Sequence, residues 1–329
     1  MVNKLIAADC GKSTTKICLL QNGTLQKDSF PTAYGLASDG RSDLIDKAHT
    51  FSIEGSSKAY RIGSGALPIK ADDSYSKDSE ITKVCALYGI AKNVSPGDTV
   101  AVAIGCPLTS YMNREARNQY CKNILPKETI KCSIDDKPTQ FTIEKRIVFP
   151  ESTGVITLHP ELFTGENDIG IIDIGGLNMN VTVLDHGEIL DEMSHTTSNG
   201  GRRLFAEIKT LLRDHEIDID DAQVLGAIQR GHINCHDEKK AALSEAVISA
   251  ATNRFIDRID ETLHQTWRNF DTLTLCFIGG TSYLLKDALT ERYGKFAIFE
   301  SDPEQSRFAN AEGFVRRLET ELAKLNQRK

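Results

Sequence analysis

Short apolar runs and alternating stretches dominate the first 150 residues, whereas the helical period governs much of the chain beyond residue 200. LIAADC, KICLL and LQKDSF read as three successive strands, the last two joined by a turn at Gln21-Asn22-Gly23. Asn-Gly between apolar runs is a strong hairpin signal. FSIEG and AYRIGSG form a second hairpin about Gly55-Ser56-Ser57, and a polar stretch over 67–80 leads into a helix, ITKVCALYGIAKN. TVAVAIGCPL is a buried strand ended by Pro107, followed by a helix carrying Met112 to Cys121 and a hairpin, IKCSIDDKPTQFTIEK, turning at Asp135-Asp136. RIVFPESTGVITLH reads as a strand that becomes a helix, with Pro150 near the helix start, where its missing N–H does no harm.

In SNGGRRLFAEIKTLLRDH a glycine turn feeds an amphipathic helix, with Leu204, Phe205, Ile208, Leu211 and Leu212 on one face. IDDAQVLGAIQRG and EKKAALSEAVISAATNRFIDRIDETLHQTW continue the helical section. LTLCFIGGTS is a buried strand running into a glycine turn, followed by a helix (YLLKDALTERYG), a short strand (FAIFES) and a closing helix from about Phe308 to Leu325. Strands interleaved with helices indicate α/β architecture.

One pattern occurs twice. Residues 5–25 (LIAADCGKSTTKICLLQNGTL) and 169–189 (IGIIDIGGLNMNVTVLDHGEI) align without a gap. Asp9 falls on Asp173, Gly11 on Gly175, Leu20 on Leu184 and Gly23 on Gly187. Each copy is a strand, a D-x-G turn, a return strand and a hairpin turn, so the chain carries one such unit in each half. Ligands of α/β folds lie at the carboxyl ends of strands, where these turns sit.

The two turns differ in their chemistry. Gly11 and the run Lys12-Ser13-Thr14-Thr15-Lys16 offer a phosphate backbone N–H groups, three hydroxyls and two ammonium groups, with Lys16 placed to point back across the turn. Gly175-Gly176-Leu177-Asn178 supplies glycines and one amide. Asp9 and Asp173 end their strands beside the turns, and paired carboxylates near a polyphosphate are best explained by Mg²⁺ held through its waters. Taken singly, each D-x-G is an ordinary strand-end turn; the duplication is what argues for function. Ile278 to Ser282 (IGGTS) offers two adjacent glycines on which a ring or ribose can lie, or simply a tight strand-to-helix turn. Asn199-Gly200-Gly201 is either an anion site at a helix N-terminus or a helix entry. Glu151 is the candidate for activating water beside a terminal phosphate; alternatively it only favours a helix N-terminus electrostatically.

At 329 residues the chain suits two domains of ordinary size. With 40% apolar and 26% charged residues it has the composition of a soluble globular protein. Its beginning, MVNKLIAADCG, lacks the pattern of a signal peptide. Eight scattered cysteines without a C-x-x-C pair read as reduced thiols in a cytoplasmic protein. His232, Cys235 and His236 fit no usual zinc spacing, and His159, His186 and His195 have no triad companions. A net charge of −7 disfavours direct nucleic-acid binding.

These motifs together resemble the actin-like ATPase fold of actin, the heat-shock chaperones and the sugar kinases, and the sequence looks like the bacterial actin-like proteins of the ParM type. Besides D-C-G-K-S-T-T-K (Asp9–Lys16) and D-I-G-G (Asp173–Gly176), the resemblance rests on FTIEKRIVFPES, on AIGCPLTSYMNR from Ala103 to Arg114, and on FANAEGF from Phe308 to Phe314. Gly279, Gly280, Thr281 and Ser282 would form its adenosine motif. It implies two related ribonuclease H-like domains flanking a nucleotide cleft, residues 1–160 with 304–329 and residues 161–303.

The resemblance further implies binding of ATP (or GTP) with Mg²⁺, head-to-tail homopolymerisation, hydrolysis after assembly, and plasmid segregation through a ParR-like DNA-binding adaptor. Asp9 and Asp173 would organise the metal, Asp173 and Glu151 would serve catalysis, and Glu151 would position the water. Gly11, Lys12, Ser13, Thr14, Lys16, Gly175, Gly176, Asn178 and Gly200 would contact the nucleotide together with the adenosine motif. Leu177, Asn178 and Asn180 depart from the family pattern, which commonly has hydroxyl residues after D-x-G-G and an acid at position 180. A small-molecule kinase of the same fold is the alternative, and a non-polymerising switch a weaker one.

Overall fold

The computed structural model describes residues 2–37, 48–63, 69–70, 76–163, 168–267 and 270–327. Parts of the AYRIGSG strand, of the polar stretch 67–80 and of the C-terminal KLNQRK lie outside them. The chain divides into two compact units, Met1–Leu162 with Phe308–Lys329, and Phe163–Arg307.

The first unit is built on β1 (Lys4–Cys10), β2 (Thr14–Gln21), β3 (Thr24–Pro31), β4 (Ala33–Leu36), β5 (Ala48–Ile53), β6 (Ala59–Gly63) and β7 (Ile69–Lys70). Helix α1 (Glu80–Lys92), β8 (Asp98–Cys106), α2 (Leu108–Met112), α3 (Arg114–Ile124), β9 (Thr129–Ile134), β10 (Lys137–Pro150) and α4 (Gly154–Leu158) follow. Among the described residues the strands form one sheet in the order β3-β2-β1-β8-β10-β9-β5-β6-β4-β7. Parallel pairing of β1 with β8 and of β8 with β10 brings three carboxyl ends side by side.

Alternate residues of a strand face opposite sides, and in β1, β2 and β8 both sides are apolar. Ile6, Ala8, Ile17, Leu19, Val100, Val102 and Ile104 join a core with Val84, Leu87 and Ile90 of α1. Ala7, Cys18, Leu20, Ala101 and Ala103 join a second core with Phe149, Phe314, Val315 and Leu318. Central strands covered on both faces read as continuous apolar runs, as LIAADC and TVAVAIGC do.

Several boundaries differ from the sequence expectation. The helix expected over Met112 to Cys121 is broken at Asn113, whose Oδ1 accepts from the N–H groups of Glu115 and Ala116 and so caps a new helix. The 137–150 segment is one strand, antiparallel to β9 over Lys137–Thr142 and parallel to β8 over Phe141–Pro150, with an irregularity between Ile143 and Lys145. Pro150 therefore ends a strand rather than opening a helix. Its carbonyl accepts from Thr153 Oγ1 at 2.7 Å, Ser152 takes a left-handed φ of 67°, and α4 starts only at Gly154. The closing helix begins earlier than Phe308, at Pro303, with Asp302 Oδ1 accepting from Glu304 and Gln305.

The second unit contains β11 (Ile169–Ile174), β12 (Met179–Asp185), β13 (Glu188–Ile189), β14 (His195–Thr197), α5 (Gly201–Arg213), α6 (Asp221–Arg230) and α7 (Glu238–Thr266). β15 (Thr274–Ile278), α8 (Gly280–Leu284), α9 (Lys286–Tyr293), β16 (Ala297–Phe299) and the start of α10 (Pro303–Gln327) complete it. The expected single helix YLLKDALTERYG is thus two, meeting at Leu285. Strand order is β13-β12-β11-β15-β16, with β14 also pairing β12.

Leu204, Ile208 and Leu212 of α5 are wholly buried, at helical spacing, against Ile172, Ile174, Val181, Val183 and α7 residues Phe255 and Ile259. Each such side chain contributes about 1.5–3 kcal/mol relative to an exposed one. Helix α6 has a capping box between Asp220 and Gln223 and ends at Gly231, φ 82°. No helix among the described residues is long and apolar enough to cross a membrane.

Candidate functional site

The duplicated segments adopt the same hairpin in the same register. Leu5 pairs with Leu20, Ile6 with Leu19 and Asp9 with Lys16; the corresponding pairs in the second unit are Ile169 with Leu184, Gly170 with Val183 and Asp173 with Asn180. Both hairpins turn through two left-handed residues, Asn22-Gly23 and His186-Gly187. The gapless sequence match is therefore a match of backbone pairing.

In the first unit, Asp9 ends β1 with 4% of its surface exposed. The Lys16 ammonium lies 2.9 Å from its carboxylate, directly across the strand pair. Between them the loop is tightly drawn: a Cβ on Gly11 would sit 2.9 Å from the Thr14 carbonyl oxygen. Thr32, which the sequence did not single out, holds this loop from below. Its Oγ1 donates to the Gly11 carbonyl at 2.5 Å, its N–H donates to the Ser13 carbonyl at 3.1 Å, and Thr15 Oγ1 lies 2.9 Å from Thr32 Oγ1. Of the three hydroxyls offered by the sequence, that of Thr15 thus faces inward. Ser13 Oγ is buried with no hydrogen-bond partner among the described residues, and an orphaned polar atom of this kind asks for a ligand or water. Lys12 and Thr14 are half-buried on the same loop.

Glu151 lies at the end of β10, its N–H donating to the Cys106 carbonyl at 2.9 Å, so it extends the parallel edge formed by β1, β8 and β10. Its carboxylate is paired with Lys77, and both side chains are more than nine-tenths buried. Burial opposes the Lys77 ammonium, but the charges of Glu151 and Asp9 outweigh it and hold the lysine above its ordinary pKa. Lys77 belongs to the polar stretch before α1 and carries no motif; a pairing across 74 positions leaves no local signal. The neighbouring thiols are not nucleophiles. Burial, with Glu151 adding to it, pushes Cys106 up to about 12, and burial raises Cys10 further.

In the second unit three segments meet at one carbonyl. The Gly175 oxygen accepts from the Gly201 N–H and from Thr281 Oγ1, both at 3.0 Å. The Gly176 oxygen accepts from the Arg202 N–H at 2.7 Å. The first N–H groups of α5 are therefore spent on the turn, which makes Asn199-Gly200-Gly201 a helix entry rather than a free anion cradle. Gly200 is required sterically, since a Cβ there would meet the Leu177 carbonyl carbon at 2.2 Å. Gly279, φ 93°, is required in the same way: its Cβ would lie 2.6 Å from Asp173 Oδ1 and from the Ile174 carbonyl. Ser306 of α10 brackets this glycine, accepting from its N–H at 3.0 Å and donating to its oxygen at 3.1 Å. Gly280 instead faces the aliphatic stem of Arg307, whose Cγ lies 3.3 Å from a notional Cβ. Asn178 Nδ2 donates to Asn180 Oδ1 at 3.1 Å, and Thr196 Oγ1 donates to the same oxygen at 2.8 Å.

The residues suit a nucleotide and a hard divalent cation on observations of this structure. Asp9 supplies a carboxylate at a strand end, the Ser13 hydroxyl is unsatisfied, and the loop closes to a separation that only glycine permits at position 11. His232, Cys235 and His236 gather into no ligand group; among the described residues Asp168, Asp185 and His186 do, with donor atoms within 4.8 Å.

Residues 7–154 match the family model of the actin-like proteins' N-terminal domain. No curated protein matches the sequence. Among solved structures, the archaeal actin homolog Ta0583 in complex with ADP is similar with a TM-score of 0.75 at 18% identity, over 97% of this chain and 100% of that one. The apo psk41 ParM protein is similar with a TM-score of 0.73 at 15% identity, over 98% and 99%. A 15-stranded ParM filament from Clostridium botulinum is similar with a TM-score of 0.72 at 18% identity, over 97% and 100%. The chain accordingly has the actin-like fold, and residues 7–154 within its first unit are similar to the N-terminal domain of actin-like proteins.

Proposed function

We propose that this protein is an actin-like nucleoside triphosphatase that polymerises with its nucleotide and hydrolyses it. On this reading the filament moves plasmid DNA through a ParR-like adaptor, and the acidic chain itself touches no DNA. The single observation that carries the chemistry is the pair of register-identical aspartate hairpins, joined in the first unit by Glu151 on the same parallel edge as Asp9. The likeness to a ParM filament and to an ADP-bound actin homolog supports assembly and nucleotide as the matching pair of properties.

Each residue then has a stated task. Lys16, Lys12, Ser13, Thr14 and the Gly11 backbone bind phosphate oxygens. Asp9 and Asp173 would hold Mg²⁺ through its waters, and the cation would neutralise charge on the terminal phosphate. Within the second unit, the Asp173 hairpin, with Gly175, Gly176 and Asn178, would contact phosphate, and Gly279, Gly280 and Thr281 would contact the adenosine end of a nucleotide. Glu151 accepts a proton from water as the water oxygen attacks the terminal phosphorus. The bond from that phosphorus to its bridging oxygen breaks, and the electron pair leaves with the nucleoside diphosphate.

Right-angle light scattering on adding ATP and Mg²⁺ tests the assembly. A filament protein scatters above a threshold concentration and not without nucleotide. Absence of scattering with ATP and GTP across a range of salt contradicts the proposal.

A further inference from the structure

We propose that Lys77 is a positioning residue for hydrolysis, fixing the Glu151 carboxylate in the orientation in which it meets the attacking water. The inference rests on the proposed role of Glu151. Its own ground is geometric. The two side chains form an ion pair in which only 9% of Lys77 and 8% of Glu151 remain exposed. The pair lies where β8 and β10 end, since Glu151 is tied to Cys106 and packs on Gly105, its Cγ being 3.5 Å from a Cβ placed there. The Gly105 carbonyl in turn accepts from Tyr120 Oη at 2.8 Å, which ties the strand end beneath Glu151 to α3.

A lysine buried this deeply is costly to keep charged unless anions surround it. Asp9 and Glu151 both stabilise the Lys77 cation, and Lys16 offsets Asp9 from the other side. The group is therefore two carboxylates and two ammonium groups at neighbouring strand ends. Lys16 sits on the phosphate loop, whereas Lys77 sits on the carboxylate proposed to take the proton. The Lys77 ammonium, buried against the Glu151 carboxylate, holds that carboxylate at the carboxyl end of β10.

The test compares Lys77→Met, Glu151→Gln and the double variant by single-turnover phosphate release, by nucleotide affinity and by melting temperature. The inference expects Lys77→Met to slow release about 10- to 100-fold, part of the roughly 100- to 10,000-fold that a positioned base supplies, with nucleotide affinity within about twofold of wild type. In the Glu151→Gln background the same change has no further effect on release, because there is no carboxylate left to position. Should Lys77→Met fail to fold, Lys77→Gln, which removes the charge but can still offer Glu151 an N–H, is expected to slow release in the same direction by a smaller factor, again with no further effect in the Glu151→Gln background.

Slow release in Glu151→Gln together with wild-type release in the Lys77 variants overturns this inference alone. So does faster release, which would make Lys77 a restraint, a parallel loss of affinity, or full additivity in the double variant. Wild-type release in Glu151→Gln removes the proposed base and this inference with it.

Discussion

Lys16 lies directly across β1 and β2 from Asp9, with its ammonium 2.9 Å from the carboxylate. The equivalent place in the second unit, across from Asp173, is taken by Asn180. One copy of the hairpin thus neutralises its aspartate within the strand pair. The other closes Asn178, Asn180 and Thr196 into a neutral network. The proposed division of labour rests on this difference: the first hairpin is the one offered to phosphate, and the second leaves its aspartate facing an uncharged neighbour.

Asn180→Asp tests that division. An aspartate keeps the acceptor oxygen used by Asn178 and Thr196 but places a second anion opposite Asp173, and like charges directly opposite cost roughly 0.2–1 kcal/mol. The variant melts below wild type in chelator and gains more than wild type from Mg²⁺ with nucleotide. An equal shift in both proteins, by differential scanning fluorimetry, would mean that no cation is held beside Asp173.

Ser13→Ala separates stability from binding. Leaving a buried hydroxyl unsatisfied costs about 1–3 kcal/mol, so its removal leaves the ligand-free protein as stable as wild type or more so. Calorimetric titration with ATP and Mg²⁺ shows affinity reduced several-fold in the same variant. Reduced stability with unchanged affinity would make Ser13 a structural residue.

Gly313→Ala probes the packing behind the first site. A Cβ at position 313 would lie 1.9 Å from the Gly154 carbonyl oxygen, and one at 154 would lie 2.5 Å from the Ala309 oxygen. Backbone meets backbone there, and no side chain can yield. Overpacking of this kind costs about 1–3 kcal/mol, read as a lower midpoint in urea. A wild-type midpoint would show that α4 and α10 separate freely.

Acid should weaken the second unit through Glu207. Burial raises its pKa, but hydrogen bonds from Arg254 and Arg258, at 2.7 Å each, outweigh this and lower it below the usual glutamate value. A depressed carboxyl contributes stability that is present above its unfolded pKa, about 4.3, and lost as pH falls through the folded one. Trp267, the single tryptophan, is 3% exposed in this unit and reports its unfolding by fluorescence. Glu207→Gln flattens the acid limb; an unchanged slope would assign it to other carboxylates.

What the sequence disclosed was local. The hairpins were legible because Asn22-Gly23 and the repeated D-x-G spacing are short-range signals, and strands buried on both faces write themselves as apolar runs. The Thr32 brace, the Lys77–Glu151 pair and the Gly154–Gly313 approach were not legible, because each joins positions far apart through the fold. Asn113 and Ser301-Asp302-Pro303 carried ordinary capping signals that the apolar periodicity overran. The role of Gly200 changed most: donors that suit an anion in isolation are used by the Gly175 and Gly176 carbonyls once the turn packs against α5.

Phosphate release per subunit, followed as protein concentration rises through the scattering threshold with ATP and Mg²⁺ in excess, tests the central claim most directly. Hydrolysis coupled to polymerisation predicts negligible release per subunit below the threshold and a steep rise above it. A release rate per subunit that is constant across the whole range would contradict it, and would describe an enzyme that acts as a single molecule.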